Sequence, residues 1–369
     1  MDLSLLVNHF AIPGRLICVN PTGSGNVNDT FLAIFRNTFD EKQVILQRIN
    51  KNVFQNPQQI MHNLRTLTEH VHMKLEQEAD HADRVWQMPK IIHTRDGHDF
   101  FTDDEGDIWR VITKIASATA FDEPQGVEHA TECGAVLGHF HLTIADLDPT
   151  LMQDPLPGFH ITPKYLASYD ALLEQDPKAK ERLNASMESR RLGMFIEKRR
   201  AFAHILQNAL SAQELTMRLM HGDPKVNNIM IDDVTGKGTA MIDLDTVSPG
   251  LVHYDFGDAL RSLCNRAGEE EPDLKNVIFD LDLCAAFCKG YMATAGAFLT
   301  AADRHYLYDA IRLITFELGL RFFRDYLAGN IYFKVRHAEQ NLNRARVQFR
   351  LCESIEARES MIRNLLDTL

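Results

Sequence analysis

Apolar and polar positions alternate differently in two parts of the chain. Up to about residue 115 the apolar residues come in short alternating runs, which predict strands over residues 16–20, 31–35, 44–49 and 108–115. Residues 90–93 and 100–103 read as a strand pair around the Asp96-Gly97 turn. Two helices interrupt this part. One is a short amphipathic piece over residues 3–10. The other starts at Asn56-Pro57, ends near Glu78, and repeats Ile60, Leu64, Leu67, Val71 and Leu75 on one face. From Gln125 onward the spacing is three and four. It predicts helices over residues 127–143, 163–174, 177–210, 274–297, 302–328 and from Asn341 to the end. No internal repeat or low-complexity segment appears.

One stretch in the helical part breaks this pattern. Residues 229–231 and 239–242 are apolar strands, and the link Asp232-Asp233-Val234-Thr235-Gly236-Lys237-Gly238 is rich in turn formers, so a hairpin is predicted. His221-Gly222-Asp223 precedes it, Asn228 stands at its entry, and Asp243 with Asp245 stands at its exit. A hairpin brings entry and exit together. Phosphoryl transfer needs a carboxylate beside the attacking hydroxyl, and a second carboxylate with an amide oxygen to hold Mg²⁺ against phosphates. Asp223 fits the first role; Asn228, Asp243 and Asp245 fit the second. The competing reading is an acidic turn with a solvated face. The D-x-x-x-x-N spacing and the I-D-x-D exit favour a kinase.

Other segments are read against that centre. Strand, Thr22-Gly23-Ser24-Gly25-Asn26, strand is the layout of a flap whose backbone N–H groups face nucleotide phosphates, with Gly23, Ser24 and Gly25 as its contacts, although an ordinary hairpin turn has the same look. In kinases the third strand carries a Lys that grips phosphates. Alternation puts Gln47 at that position here and points Arg48 the other way, so either Arg48 or another base compensates, or metal and backbone suffice. The strand ending near residue 115 leads to a hinge where backbone at 114–117 would meet adenine. Asp255-Phe256-Gly257 resembles a kinase metal motif. It lies twelve residues past Asp243, outside the hairpin, and reads instead as a helix cap that braces the catalytic loop. Glu317 and Arg321 are four apart, the spacing of an intrahelical ion pair; the functional alternative is that Arg321 lines an acceptor pocket. His139 and His141, two apart on a helix, do not face one ligand.

Composition narrows the partners. Among 369 residues, 45% are hydrophobic and the formal charge is −12, which argues against nucleic acid and anionic membranes and makes local cations necessary for ATP. The six cysteines show no C-x-x-C or zinc spacing, as expected of reduced thiols in a cytoplasmic protein. Neither a basic start followed by an apolar run nor a stretch of about 18 apolar residues is present, so no signal peptide or membrane span is expected.

These motifs resemble the aminoglycoside phosphotransferase and choline kinase superfamily, and within it most nearly the N-acetylhexosamine 1-kinases. The resemblance spans nearly the whole chain. It includes Gly23 to Asn28, Ile45 to Asn50, Trp109-Arg110-Val111, Asp223 to Asn228, Ile242 to Thr246, Asp255 to Asp258, Gly319 to Phe322 and Asp325 to Phe333. It implies an α+β, bilobal protein-kinase-like fold: a small antiparallel-sheet N-lobe at residues 1–115 and a larger, mostly helical C-lobe at 116–369. It implies ATP and Mg²⁺ as cofactors, Asp223 as base, and Asn228 and Asp243 as metal ligands. The acceptor would be a small molecule, a neutral amino sugar phosphorylated at its anomeric hydroxyl and bound near Asn26, Asp223, Arg321 and Tyr332. Gln47 agrees with the hexosamine kinase pattern. Asn26 departs from it, because the family has a His there whose reach is longer. The alternatives are a kinase of another small alcohol (another sugar, an amino alcohol or an aminoglycoside) and a non-catalytic nucleotide-binding protein. Oligomeric state is not legible.

Overall fold

The computed structural model describes residues 2–23, 27–78 and 84–368. Ser24, Gly25 and Asn26, the tip of the expected flap, lie outside them. Chain order begins with α1 (Leu3–Val7), β1 (Arg15–Pro21), β2 (Asp29–Arg36), β3 (Glu41–Arg48), α2 (Pro57–Glu78), β4 (Ile91–Ile92), β5 (Phe101–Thr102) and β6 (Ile108–Thr113). These strands form one antiparallel sheet in the order β1-β2-β3-β6-β4, with β5 also on β6. Residues 90–93 and 100–103 were expected to pair with each other. Instead Ile91 faces Ile112 and Phe101 faces Trp109, so both segments dock on β6. The strongly apolar β6 is the better partner because it buries Trp109 and Val111 in the core beneath the sheet, among Leu6, Phe10, Phe35 and Leu46.

The next elements are β7 (Ala118–Ala120) and α3 (Val127–Ile144), then α4 (Thr162–Gln175), α5 (Pro177–Ala185), α6 (Met187–Glu197), α7 (Ile205–Ser211) and β8 (Arg218–Met220). The single helix expected over 177–210 is therefore three. Ser186, at φ −136° and ψ 159°, ends α5 and caps α6 by accepting from the Ser189 N–H. Its hydroxyl offers a local alternative to the helical backbone bond.

The hairpin is β9 (Ile229–Asp232) with β10 (Gly238–Met241), and β7 adds a third strand to β9. β11 (Ser248–Gly250) pairs back on β8. The remainder is α8 (Val252–Leu263), α9 (Leu281–Ala295), α10 (Ala301–His305), α11 (Leu307–Ala328), α12 (Gln340–Glu356) and α13 (Glu359–Asp367). The largest core joins α2, α3, α8, α9 and the hairpin. Helices α3 and α9 cross with almost no side chain between them. A Cβ on Gly290 would stand 1.9 Å from the Thr131 carbonyl oxygen, and one on Gly134 would stand 2.0 Å from that of Phe287. This close crossing brings His141 of α3 within 2.9 Å of the Tyr291 hydroxyl of α9, and through His141 it reaches the candidate site.

Candidate active site

The catalytic loop is fixed from beneath by Asp255. This carboxylate is fully buried. Its Oδ2 accepts from the His221 N–H at 2.5 Å and pairs with His141 Nε2 at 2.8 Å, and its Oδ1 accepts from the Gly222 N–H at 2.8 Å. Burial alone would raise its pKa, but the His141 hydrogen bond and charge, with the backbone donors, hold it below the usual carboxylate value. The expected brace is therefore present. The expected helix cap is not: Leu251 is the N-cap of α8 and Asp255 lies inside the first turn. Gly222, at φ +86°, packs so tightly on Thr246 that a Cβ would approach its carbonyl oxygen to 2.9 Å.

Above this brace the predicted residues converge. Asp223 Oδ2 receives Lys225 Nζ at 2.6 Å and Asn228 Nδ2 at 3.2 Å, and the same amide donates to the Asp223 carbonyl at 2.8 Å. The hairpin brings its two ends together as expected: the Ile242 N–H donates to the Asn228 carbonyl at 2.9 Å. Asp243 follows at φ 61°, a left-handed conformation uncommon for a residue other than glycine. Burial, then the charges of Asp245 and Asp223, raise the Asp243 pKa, while Lys225 and Arg110 oppose the rise. Burial would lower the Lys225 pKa, but Asp223 and Asp243 push it up. This crowding of carboxylates suits a divalent cation. Asn228 and Asp243, the residues expected to hold Mg²⁺, would supply two side-chain oxygens to an ion that takes its remaining ligands from water and phosphates. Among the described residues no group of three or more His, Cys, Asp or Glu is arranged around a metal position.

Asp245, expected beside Asn228 and Asp243 as a metal ligand, is instead engaged by Arg110 and Asn28. Its Oδ1 meets Arg110 Nη1 at 2.6 Å, with side chains 3% and 2% exposed, and its Oδ2 accepts from Asn28 Nδ2 at 2.6 Å. Gln47 Oε1 in turn accepts from Arg110 Nη2 at 2.7 Å and Nε at 3.0 Å. Arg48 is elsewhere, paired with Asp29 and Asp107 and lying over the Trp109 ring. Gly23 ends the described part of the flap at φ +78°. At the hinge, both Ala116 backbone groups bond to the Gln87 side chain, the N–H at 3.0 Å and the carbonyl at 3.1 Å, and the Ser117 carbonyl accepts from the Asp233 N–H. These groups are thus engaged within the protein.

The residues expected on the acceptor side lie on α11 and the loop after it. Glu317 does not pair with Arg321. It receives the Thr162 hydroxyl at 2.7 Å and contacts His160 Nδ1 at 3.0 Å, and His160 Nε2 reaches the Gly222 carbonyl at 2.9 Å. Arg321 instead sits 5.2, 5.1 and 5.7 Å from the ring centres of Phe159, Tyr165 and Phe333. Asp325 holds the following loop by accepting from the Ile331, Tyr332 and Phe333 N–H groups at 3.0, 2.8 and 3.0 Å. The Tyr332 side chain remains exposed on that loop. The sequence reading missed Lys225, His160 and the role of Arg110. Lys225, two residues from Asp223, was the one with a local signal; the other two act across long separations.

Comparison with known proteins fits this geometry. A family model described as "Phosphotransferase enzyme family" matches residues 21–295. Among solved structures, a choline kinase from Cryptosporidium parvum Iowa II is similar at TM-score 0.59 and 12% identity, covering 99% of each chain. A microcompartment-associated aminopropanol kinase is similar at TM-score 0.54 and 17% identity, covering 98% of each. A spectinomycin phosphotransferase in complex with ADP and spectinomycin is similar at TM-score 0.53 and 13% identity, covering 97% of this chain and 98% of that one. The family match extends over about three quarters of the chain and includes the whole β9–β10 hairpin, so the chain belongs to the phosphotransferase enzyme family.

Proposed function

We propose that the chain transfers the γ-phosphoryl group of ATP to the anomeric hydroxyl of an N-acetylhexosamine such as GlcNAc or GalNAc. Asp223 accepts the hydroxyl proton as the sugar oxygen bonds to phosphorus and the bond to ADP breaks. Lys225 and Asn228 hold the Asp223 carboxylate in one orientation. Asn228 and Asp243 hold Mg²⁺, which neutralises charge on the phosphates when bound. Asp245 serves as the anchor that Asn28 and Arg110 grip.

The observation that carries the acceptor reading is the guanidinium of Arg321 among three aromatic rings. Such a ring set is one that a quaternary ammonium would occupy. Here the protein's own cation occupies it, which disfavours a charged amino alcohol. The nearby Glu317 is paired with His160 and offers a cationic acceptor little net charge. Arg321 and Tyr332 instead suit the hydroxyls and acetamide of a neutral sugar. A second reading, an amino alcohol or aminoglycoside kinase on the same machinery, is favoured by the acceptors named for the similar structures. A panel of neutral sugars and amino alcohols with ATP and Mg²⁺, read by phosphorus NMR, separates the two. A sugar 1-phosphate resonance supports the first reading. Phosphorylation confined to amino alcohols or aminoglycosides removes it in favour of the second.

A further inference from the structure

Two histidines hold the peptide bond that joins Gly222 to Asp223, and their hydrogen bonds require different protonation states. His221 holds the N–H side: its Nδ1 accepts from the Asp223 N–H at 3.2 Å, while its Nε2 donates to the Ile242 carbonyl at 3.0 Å. One nitrogen accepts and the other donates, so this ring is neutral. His160 holds the carbonyl side. Its Nε2 lies 2.9 Å from the Gly222 oxygen and its Nδ1 lies 3.0 Å from Glu317 Oε1. The Gly222 carbonyl can only accept. Glu317 takes the Thr162 hydroxyl on its other oxygen at 2.7 Å and acts as an acceptor on both sides. Both nitrogens of His160 therefore donate, and its ring is an imidazolium. The ring is buried against Tyr254, with centroids 5.5 Å apart, and the His160 backbone stands at φ 57°, uncommon for a residue other than glycine.

We infer that His160 is a positioning residue for phosphoryl transfer: as an imidazolium it clamps the carbonyl before Asp223 to Glu317 of α11, and so fixes Asp223 relative to the acceptor side. Asp255 already holds the His221 and Gly222 N–H groups, and His160 adds the hold on the carbonyl. Glu317 lies one helical turn before Arg321, and Phe159, next to His160 in the chain, is one of the rings about Arg321. The other charged or titratable groups about the ring are Arg321 from α11, Asp258 and Tyr254 from α8, Tyr165 from α4, and Asp223 with its partner Lys225 on the catalytic loop. Burial pushes both tyrosines up, so they stay neutral. Glu317 and Asp258 keep the ring charged to higher pH than an ordinary histidine. When one proton leaves, the remaining hydrogen stays with the carboxylate, the stronger acceptor. Nε2 then turns a lone pair on the Gly222 oxygen, and the loss falls on the catalytic loop. The inference rests on Asp223 as the reacting carboxylate and is independent of which alcohol is phosphorylated.

The test follows kcat and KM for ATP across pH in the full chain as wild type, His160→Gln, Glu317→Gln and Asp223→Ala. The acceptor is GlcNAc, or ethanolamine where the sugar is not phosphorylated, and circular dichroism checks folding at every pH. Wild-type kcat should fall on an alkaline limb. Glu317→Gln keeps an acceptor for the ring but removes its charge, so the limb should move down by about one pH unit or more. His160→Gln should abolish the limb, lower kcat about 10- to 100-fold, the scale of one lost charged hydrogen bond, and leave KM for ATP within about twofold. Histidine-ring nitrogen NMR, with His160 assigned by its absence from His160→Gln, should show both of its nitrogens protonated at about pH 6.5, where an ordinary histidine is half neutral. A limb that stays in place in Glu317→Gln, a limb or an unchanged kcat in folded His160→Gln, or a singly protonated His160 ring overturns the inference. Should His160→Gln not fold, Glu317→Gln decides alone: a moved limb supports the inference, and an unmoved limb or a second failure to fold overturns it. Wild-type turnover by Asp223→Ala would overturn the premise that Asp223 is the base, and no failure of the His160 assignment produces that result.

Discussion

Replacing Asp255 with Asn tests whether this residue braces the catalytic loop or holds metal. The carboxylate receives two backbone N–H groups and His141, all inside the protein. An amide of the same shape keeps one oxygen. The least costly orientation leaves that oxygen at the Oδ2 position, facing His221 N and His141, and turns the NH₂ toward the Gly222 N–H. One buried donor is then unsatisfied, which costs about 1–3 kcal/mol, and the two remaining bonds lose charge assistance worth about 1 kcal/mol each. The sum, about 3–5 kcal/mol, agrees with the cost of breaking a buried pair by removing one partner. It is a large share of the ~5–15 kcal/mol that holds a typical domain together. Urea unfolding of Asp255→Asn should therefore shift to a clearly lower midpoint with a similar slope. Turnover should fall because His221 and Gly222 lose their support, but the Mg²⁺ concentration for half-maximal activity should not move. A stability loss under about 1 kcal/mol, or a Mg²⁺ requirement raised tenfold, would refute the reasoning.

Two further expectations concern the acceptor side. Burial would lower the His160 pKa, but the hydrogen bond and charge of Glu317, helped by Asp258 and the Gly222 carbonyl, raise it above its ordinary 6.5. A raised folded value stabilises fully below the unfolded value and is lost as pH rises through the folded one. The difference in unfolding free energy between wild type and His160→Gln should thus be largest below about pH 6.5 and shrink at alkaline pH; a difference that grows with pH would contradict the pairing. Arg321→Gln should raise KM for the sugar about tenfold or more and leave ADP affinity unchanged, as steady-state kinetics and calorimetry would report. A lost ADP affinity with an unchanged sugar KM would move Arg321 out of the acceptor site.

Local signals were readable in the sequence, and long-range ones were not. The hairpin of β9 and β10 followed from two apolar runs and a turn-rich link, and the closeness of Asn228 to Asp243 followed from the hairpin. Helix α2 was readable because its apolar face repeats over 22 residues. Residues 177–210 were misread because a charged helical pattern outweighed Ser186, whose side-chain cap wins locally. Spacing alone suggested a Glu317–Arg321 pair, yet Glu317 is taken by His160, 157 residues away in the chain. Arg110 was visible only as part of a resemblance, since its partners Gln47 and Asp245 come from another strand and from the catalytic hairpin. Pairings between distant segments leave no periodicity to read.

The central claim is that Asp223 removes the proton from a small-molecule hydroxyl during phosphoryl transfer. Single-turnover transfer from ATP to GlcNAc should be compared between wild type and Asp223→Ala, with ADP affinity measured on the same samples. The account predicts near-unchanged ADP affinity and a rate lowered by about 10²–10⁴-fold in the variant. Transfer at the wild-type rate by Asp223→Ala would contradict it.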